Sequence, residues 1–200
     1  MTPDLLTALF TFALVAAVTP GPNNVLLLAS GANYGLRGSL PHMSGVAFGF
    51  PAMVILVGLG VMQLFDLWPV SYAILKWLCV GYLIHLSWKV ANAAAPGEGG
   101  TRRRPLTFLQ AAVFQWVNPK AWTTALTGIT LFAPARDLSA VLVVAAVYFL
   151  ASLISVSSWT TIGTQLSRWL NSPSRLRWFN WTMATLLLAT LIPVLWSGSK

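Results

Sequence analysis

Charge is scarce in this chain and cysteine is all but absent. Of 200 residues, 4 are acidic and 12 basic, and charged residues make up 8%, against about a quarter in soluble domains. Water is therefore not the solvent for most of its surface. The single cysteine, Cys79, sits inside an apolar run, which excludes an intrachain disulfide, a thiolate metal cluster and a two-cysteine electron relay, and leaves packing as its role. No His/Cys spacing suits a metal ion, and no Ser-His-acid set shares a membrane face, so neither a metal or cofactor site nor enzyme chemistry is expected. The net charge of +8 would suit a nucleic-acid partner, but no basic-aromatic stripe accompanies it.

What is present is hydrophobic: 56% of the residues, with a mean hydropathy of +0.72. A helix needs about 20 mostly apolar residues to cross the hydrocarbon of a bilayer. Six stretches qualify, at roughly Leu5–Leu28, His42–Phe65, Val70–Val90, Leu106–Phe132, Leu138–Ile162 and Leu176–Trp196. The first is read as a retained span and not a signal peptide, because Asp4 stands where a basic segment belongs and the apolar run continues into a Pro-Gly break. Arg37, Lys89, Arg102, Arg103, Arg104, Arg168, Arg175 and Arg177 fall in or beside the odd connections, and Lys76, Arg136 and Lys200 on the other side. That bias puts the odd connections in the cytoplasm and both termini in the periplasm; Asp4, Asp66 and Asp137 lie on the opposite side. The Pro/Gly-rich, Arg-containing stretch 92–105 is the one obvious linker. It separates residues 1–91 from 106–200, three spans each, within one membrane domain. The expected fold is all-α, six transmembrane helices forming two inverted-topology three-helix repeats.

Two spans are broken at corresponding depths. The first carries Thr19-Pro20-Gly21-Pro22-Asn23-Asn24 and the fourth Asn118-Pro119-Lys120, each about 20 Å into its span at 1.5 Å per residue. The two spans run in opposite directions, so both breaks are expected near the membrane midplane, where transporter sites lie. Two prolines around a glycine stop a regular helix and free its carbonyls, and irregular backbone at that depth is tolerated only inside protein or along a watery cavity. Asn118 before Pro119 reads as the cap and first turn of a new half-helix with its positive end at the midplane; Asn23 or Asn24 would cap the second half of the first span. The plainer reading of any single proline is a packing kink, and it is the matched pair that points to a ligand site.

Lys120 is the one charge left deep in the bilayer, at a cost of roughly 2.5–3.5 kcal/mol. The acidic residues all sit in loops or at the N-terminus, so the natural counter-ion is a substrate carboxylate, with the substrate ammonium left to carbonyls near Thr19–Gly21 or to Asn23. The alternatives are that Lys120 snorkels to an interface or sits there uncharged. Gln115 and Trp122 line the same space or simply pack. His42 and His85 are candidates for proton coupling, with interfacial placement the blander reading. Ser152, Ser155 and Ser158 recur on one face of the fifth span, suited to helix packing or a polar path. Gly45 and Gly49 permit close helix approach, and tryptophans near span ends (Trp68, Trp88, Trp169, Trp178 and Trp196) fit an aromatic belt.

The Thr19-Pro20-Gly21-Pro22-Asn23 and Asn118-Pro119-Lys120 motifs, Arg37-Gly38, the glycine-rich stretch Gly45–Gly60 and the stretch from Lys76 to Leu83 and on to Trp88-Lys89 together resemble the LysE/RhtB family of amino-acid exporters. The likeness spans essentially the whole chain and is stronger in the first half. It implies a secondary transporter with broken first and fourth helices in the bacterial inner membrane, expelling an amino acid or derivative by the proton motive force. The neutral-amino-acid branch fits better, because no intramembrane acid is expected that would hold a cationic side chain. The candidate substrate-binding set is Thr19, Pro20, Gly21, Pro22, Asn23, Asn24, Gln115, Asn118, Pro119 and Lys120. The expected partners are a small amino acid, coupled protons and lipid; a homo-oligomer stays open. An ion or metal exporter of similar architecture is the alternative, short of soft ligands and buried acids. A purely structural membrane subunit would leave Lys120 unexplained.

Overall fold

Proline punctuates the first helix at both ends. In a computed structural model, which describes residues 1–68, 70–93, 105–135, 137–170, 172–192 and 195, with backbone alone at 62, 64 and 66, helix α1 (Pro3–Val18) starts on Pro3 with the Thr2 hydroxyl accepting from Leu5 N at 3.3 Å. It stops at Thr19, which Pro20 holds in an extended conformation (φ −59°, ψ 134°). Gly21 is extended as well, and Pro22 opens α2 (Pro22–Gly58). A straight helix of 37 residues would run about 55 Å, far beyond the roughly 30 Å of hydrocarbon in a bilayer. Gly35 breaks it with φ 69° and ψ 177°, a region that only a residue without Cβ enters at little cost. The Ser30 and Ser39 hydroxyls meet across this turn at 2.8 Å. The sequence suggests a connection from about residue 29 to 41; the structure narrows it to this turn, because the polar residues around Asn33 and Arg37 stay helical.

Helix α2 ends at Gly58, short of the expected Phe65, since Gly60 turns the chain (φ 98°) into the short helix α3 (Val61–Leu67). Helix α4 spans Val70–Ala91. A capping box between Thr107 and Gln110 starts α5 (Phe108–Phe114), which tightens into a 3-10 turn at Gln115–Val117. Helix α6 (Pro119–Phe132) follows the Asn118 break. Asp137 caps α7 (Leu138–Leu166); hydrogen bonds from the Ser139 hydroxyl and Ala140 N–H hold its carboxyl below the usual carboxylate range. Helix α8 (Pro173–Ala189) begins behind a Ser172 cap.

This is a multi-pass membrane protein. No strand occurs among the described residues; α2, α4 and α7 are each long and apolar enough to cross a bilayer, and α1 and the Phe108–Val117 segment are shorter apolar helices. Phe48, Trp77, Leu109 and Leu150 lie exposed on the outside, where lipid and not water is their natural neighbour. Trp68, Trp88, Trp169 and Trp178 are exposed near helix ends, as an aromatic belt requires. The linker residues 94–104, with Arg102, Arg103 and Arg104, and Arg136, Trp196 and Lys200 lie outside the described residues.

Helix α2 makes its most extensive packing with α7. The crossing is reciprocal: a Cβ on Gly31 would strike the Thr160 carbonyl, and one on Gly163 the Leu28 carbonyl. Two glycines thus let the backbones touch, the usual device where lipid offers no hydrophobic drive for helix association. Gly45 and Gly49 seat α2 against Phe108 and Ala112 of α5 in the same manner. One apolar cluster gathers Leu9, Met53, Val54, Ile129, Val141 and Tyr148, and a second gathers Leu26, Val46, Leu83, Phe114, Val156 and Leu187. At one end, Asn33 and Asn180 exchange amide hydrogen bonds (2.8 and 3.2 Å) and Asn180 donates to the Ala93 carbonyl at 3.1 Å. These bonds draw the first and third connections and the middle of α8 together. Gly163→Ala is expected to destabilise the protein by about 1–3 kcal/mol through overpacking, read as a lowered unfolding midpoint of the purified chain in detergent.

Candidate functional site

A helix interrupted away from water leaves its last carbonyls needing donors. At the end of α1, Asn24 Nδ2 donates to the carbonyls of Ala17 (2.7 Å) and Thr19 (2.9 Å). From α7, Ser155 Oγ donates to Ala17 O (2.7 Å) and lies 3.2 Å from Asn24 Oδ1, and Trp159 Nε1 donates to Val18 O (3.2 Å). From α6, the Lys120 ammonium donates to Thr19 O at 2.5 Å. Asn24 therefore closes the C-terminus of α1, whereas the sequence suggests a cap for the helix that follows. The cap residue of α2 is Gly21, with no side-chain bond.

The second break joins the first through side-chain amides. Asn23 Nδ2 donates to Gln115 Oε1 (2.8 Å), and Gln115 Nε2 donates to Asn23 Oδ1 (3.3 Å) and to Ala111 O (2.8 Å). Asn118 caps α6 as its motif suggests, its side-chain oxygen accepting from Lys120 N at 3.1 Å. The two motifs, 92 residues apart where Asn23 meets Gln115, thus form one constellation.

Beside it lies a cavity of about 60 Å³ lined by Gly21, Asn23, Asn24, Asn118, Lys120, Tyr148 and others, room for several waters at 10–15 Å³ each or for one small molecule. Pro20, Pro22 and Pro119 are absent from its wall; they set the breaks. Thr19 presents its carbonyl to Lys120 and Asn24, and Gln115 stands behind Asn23. Trp122 faces away into the core, donating to Trp116 O at 2.8 Å and meeting Phe65 edge-on. Ser152 and Ser155 line the cavity, whereas Ser158 is exposed. His85 is exposed and stacks on Tyr82, and His42 belongs to a different cavity.

Sequence reasoning missed Val46, Phe50, Thr124 and Tyr148 as wall residues. Tyr148 carried a faint signal, a phenol in the middle of an apolar span; it is fully buried and donates to Thr124 O at 2.9 Å. Gly21 matters by its closeness to Lys120 and not by its conformation. Its φ of −175° suits any residue, but a Cβ there would come within 2.6 Å of Lys120 Cδ and 3.2 Å of Nζ. No carboxylate pairs with Lys120 among the described residues, and none of them form a His/Cys/Asp/Glu group able to hold a metal ion. The arrangement presents a cation, amide groups and the N-terminal ends of α2 and α6 to one small cavity, which is chemistry for an organic anion.

Comparison with known proteins gives a consistent set. The LysE type translocator family model matches residues 14–194. A protein of Escherichia coli named cysteine/O-acetylserine efflux protein is 33% identical over 132 residues, covering 66% of this chain and 67% of that one. The protein of the same name from Shigella sonnei matches to the same extent. No solved structure matches.

Asn24→Ala, which strips donors from two buried-end carbonyls, is expected to cost about 1–3 kcal/mol. Asn118→Ala removes only a cap bond and should cost about 1 kcal/mol. Unfolding of the purified variants in detergent checks the order.

Proposed function

The chain belongs to the LysE type translocator family, and from that footing we propose that it exports a small neutral amino acid or derivative across the bacterial inner membrane. The observation that carries this reading is Lys120: an ammonium beside a cavity, held by the Thr19 carbonyl alone, with no acid to pair with among the described residues. In this proposal the substrate carboxylate takes Lys120 Nζ, with the positive ends of α2 and α6 adding to the attraction. Drawing the ammonium away from Thr19 leaves that carbonyl, at the negative end of α1, with its Asn24 bond alone and open to the substrate ammonium. One exchange of partners thus satisfies both ends of a zwitterion. Ala17, Phe50, Tyr148 and Ser152 are left to meet the substrate side chain, and a cavity of about 60 Å³ favours a short one. Substrates of the kind named for the relatives, cysteine and O-acetylserine, are small zwitterions with short side chains.

The positive-inside bias sets the orientation, with the connections bearing Arg37, Lys89, Arg168 and Arg175 in the cytoplasm and both termini periplasmic. The site residues come from α1 and α2 on one side and α6 and α7 on the other. Two inverted three-helix halves rocking about the paired breaks would expose the cavity alternately to each face, with the proton motive force as driver.

Overexpression in a bacterium challenged with L-cysteine, O-acetyl-L-serine or L-threonine is expected to protect against one of them and to raise its measured efflux; protection against none would sink the export reading. Lys120→Gln should lower that efflux more than about tenfold, the loss of one charge-assisted contact. Gly21→Ala should also lower efflux by displacing Lys120 while leaving the unfolding midpoint near that of the wild type.

A further inference from the structure

Away from this site, a second cavity of about 40 Å³ lies between the two segments of α2 and the end of α4, closed by Pro105 and Leu106. His42 is 1% exposed on its wall, and neither of its ring nitrogens has a hydrogen-bond partner. A buried imidazole with both nitrogens idle costs free energy, so the cavity is where its partner belongs. The half-buried Lys89 of α4 lines the same space, without a hydrogen-bond or ion-pair partner among the described residues. The neighbouring polar groups are committed: Asn33 Nδ2 to Ala29 O and Asn180, Ser30 to Ser39. What is left over is an ammonium and an imidazole with no carboxylate among the described wall residues, a donor set that suits an anion.

Its location ties the cavity to the main one. His42 and Val46 stand one helical turn apart on α2, and Val46 lines the Lys120 cavity. Leu26, Leu86 and Leu106 of the second cavity and Val46 and Val156 of the first belong to a single apolar cluster. The two cavities thus border one shared apolar cluster, and the smaller is at the end where Asn33, Ala93 and Asn180 meet.

We propose that the cavity of His42 and Lys89 is a second binding site, for the carboxylate of an amino acid loading from the cytoplasm on its way to Lys120. This rests on the export reading for its direction, and on its own wall for its chemistry. The substrate pairs first with Lys89 and accepts from His42, and opening of the shared apolar cluster passes it along α2 toward Lys120.

Two measurements test it on the full-length protein. In inside-out membrane vesicles, labelled O-acetyl-L-serine is presented to the cytoplasmic face. Lys89→Gln or His42→Leu should raise KM about tenfold, the loss of one charge-assisted contact, with the maximal rate little changed; in right-side-out vesicles the KM of both variants should match the wild type. An unchanged KM in inside-out vesicles, or an equal rise on both faces, overturns the proposal. In detergent, sodium acetate at constant ionic strength should raise the unfolding midpoint of the wild type in two saturable phases. Lys89→Gln should abolish one phase and Lys120→Gln the other. Loss of transport in the wild type with both acetate phases intact would end the export reading and leave the anion site standing. An acetate response identical in wild type and Lys89→Gln overturns the site. So does a Lys89-dependent response to phosphatidylglycerol with none to acetate, which would assign the ammonium to a lipid headgroup.

Discussion

Three carbonyls at the end of α1 govern this structure. Ala17, Val18 and Thr19 cannot bond onward along the chain, because Pro20 and Pro22 have no N–H and Gly21 is extended. Away from water such oxygens must be satisfied by protein. Asn24, Ser155, Trp159 and Lys120 do so, drawing on α2, α7 and α6. A defect in one helix therefore fixes the mutual position of three others. Of the four donors, Lys120 is the one ionisable side chain.

Two of the donors, Ser155 and Trp159, reach those carbonyls because α7 packs closely against α2. Reciprocal placement of Gly31 and Gly163 brings backbone against backbone, and this same approach sets Ser155 and Trp159 over the end of α1. Packing and polarity are thus coupled through helix α7: small residues at one level of the crossing set the hydrogen-bond geometry at the next. The second break behaves differently. Asn118 satisfies its own helix start, so Lys120 and Gln115 are left to reach across to the first motif.

Both cavities are electropositive, and both lie in a wall with no described carboxylate. Lys120 and Lys89 are each only partly buried, and neither has a carboxylate partner among the described residues.

Much of this was legible in the sequence because the rules involved are local. Pro-Gly-Pro must stop a helix, Asn before Pro must start one, and apolar runs of about 20 residues must seek lipid; the breaks at Thr19–Pro22 and at Asn118, and the isolation of Lys120, follow from those rules alone. Local rules also failed where a single glycine decided the path, at Gly35 and Gly60, because hydropathy does not record φ. The partners were out of reach for another reason. Which face Asn24 turns, whether Tyr148 or Trp122 meets the cavity, and that His42 is buried with idle nitrogens all depend on the rotation of each helix about its axis, and that rotation is set by side chains on other helices. Sequence determined where the backbone would break and which charge would be stranded; only the tertiary packing decided which groups came to the break from other helices, since the contacts of Lys120, Ser155 and Trp159 join residues distant along the chain.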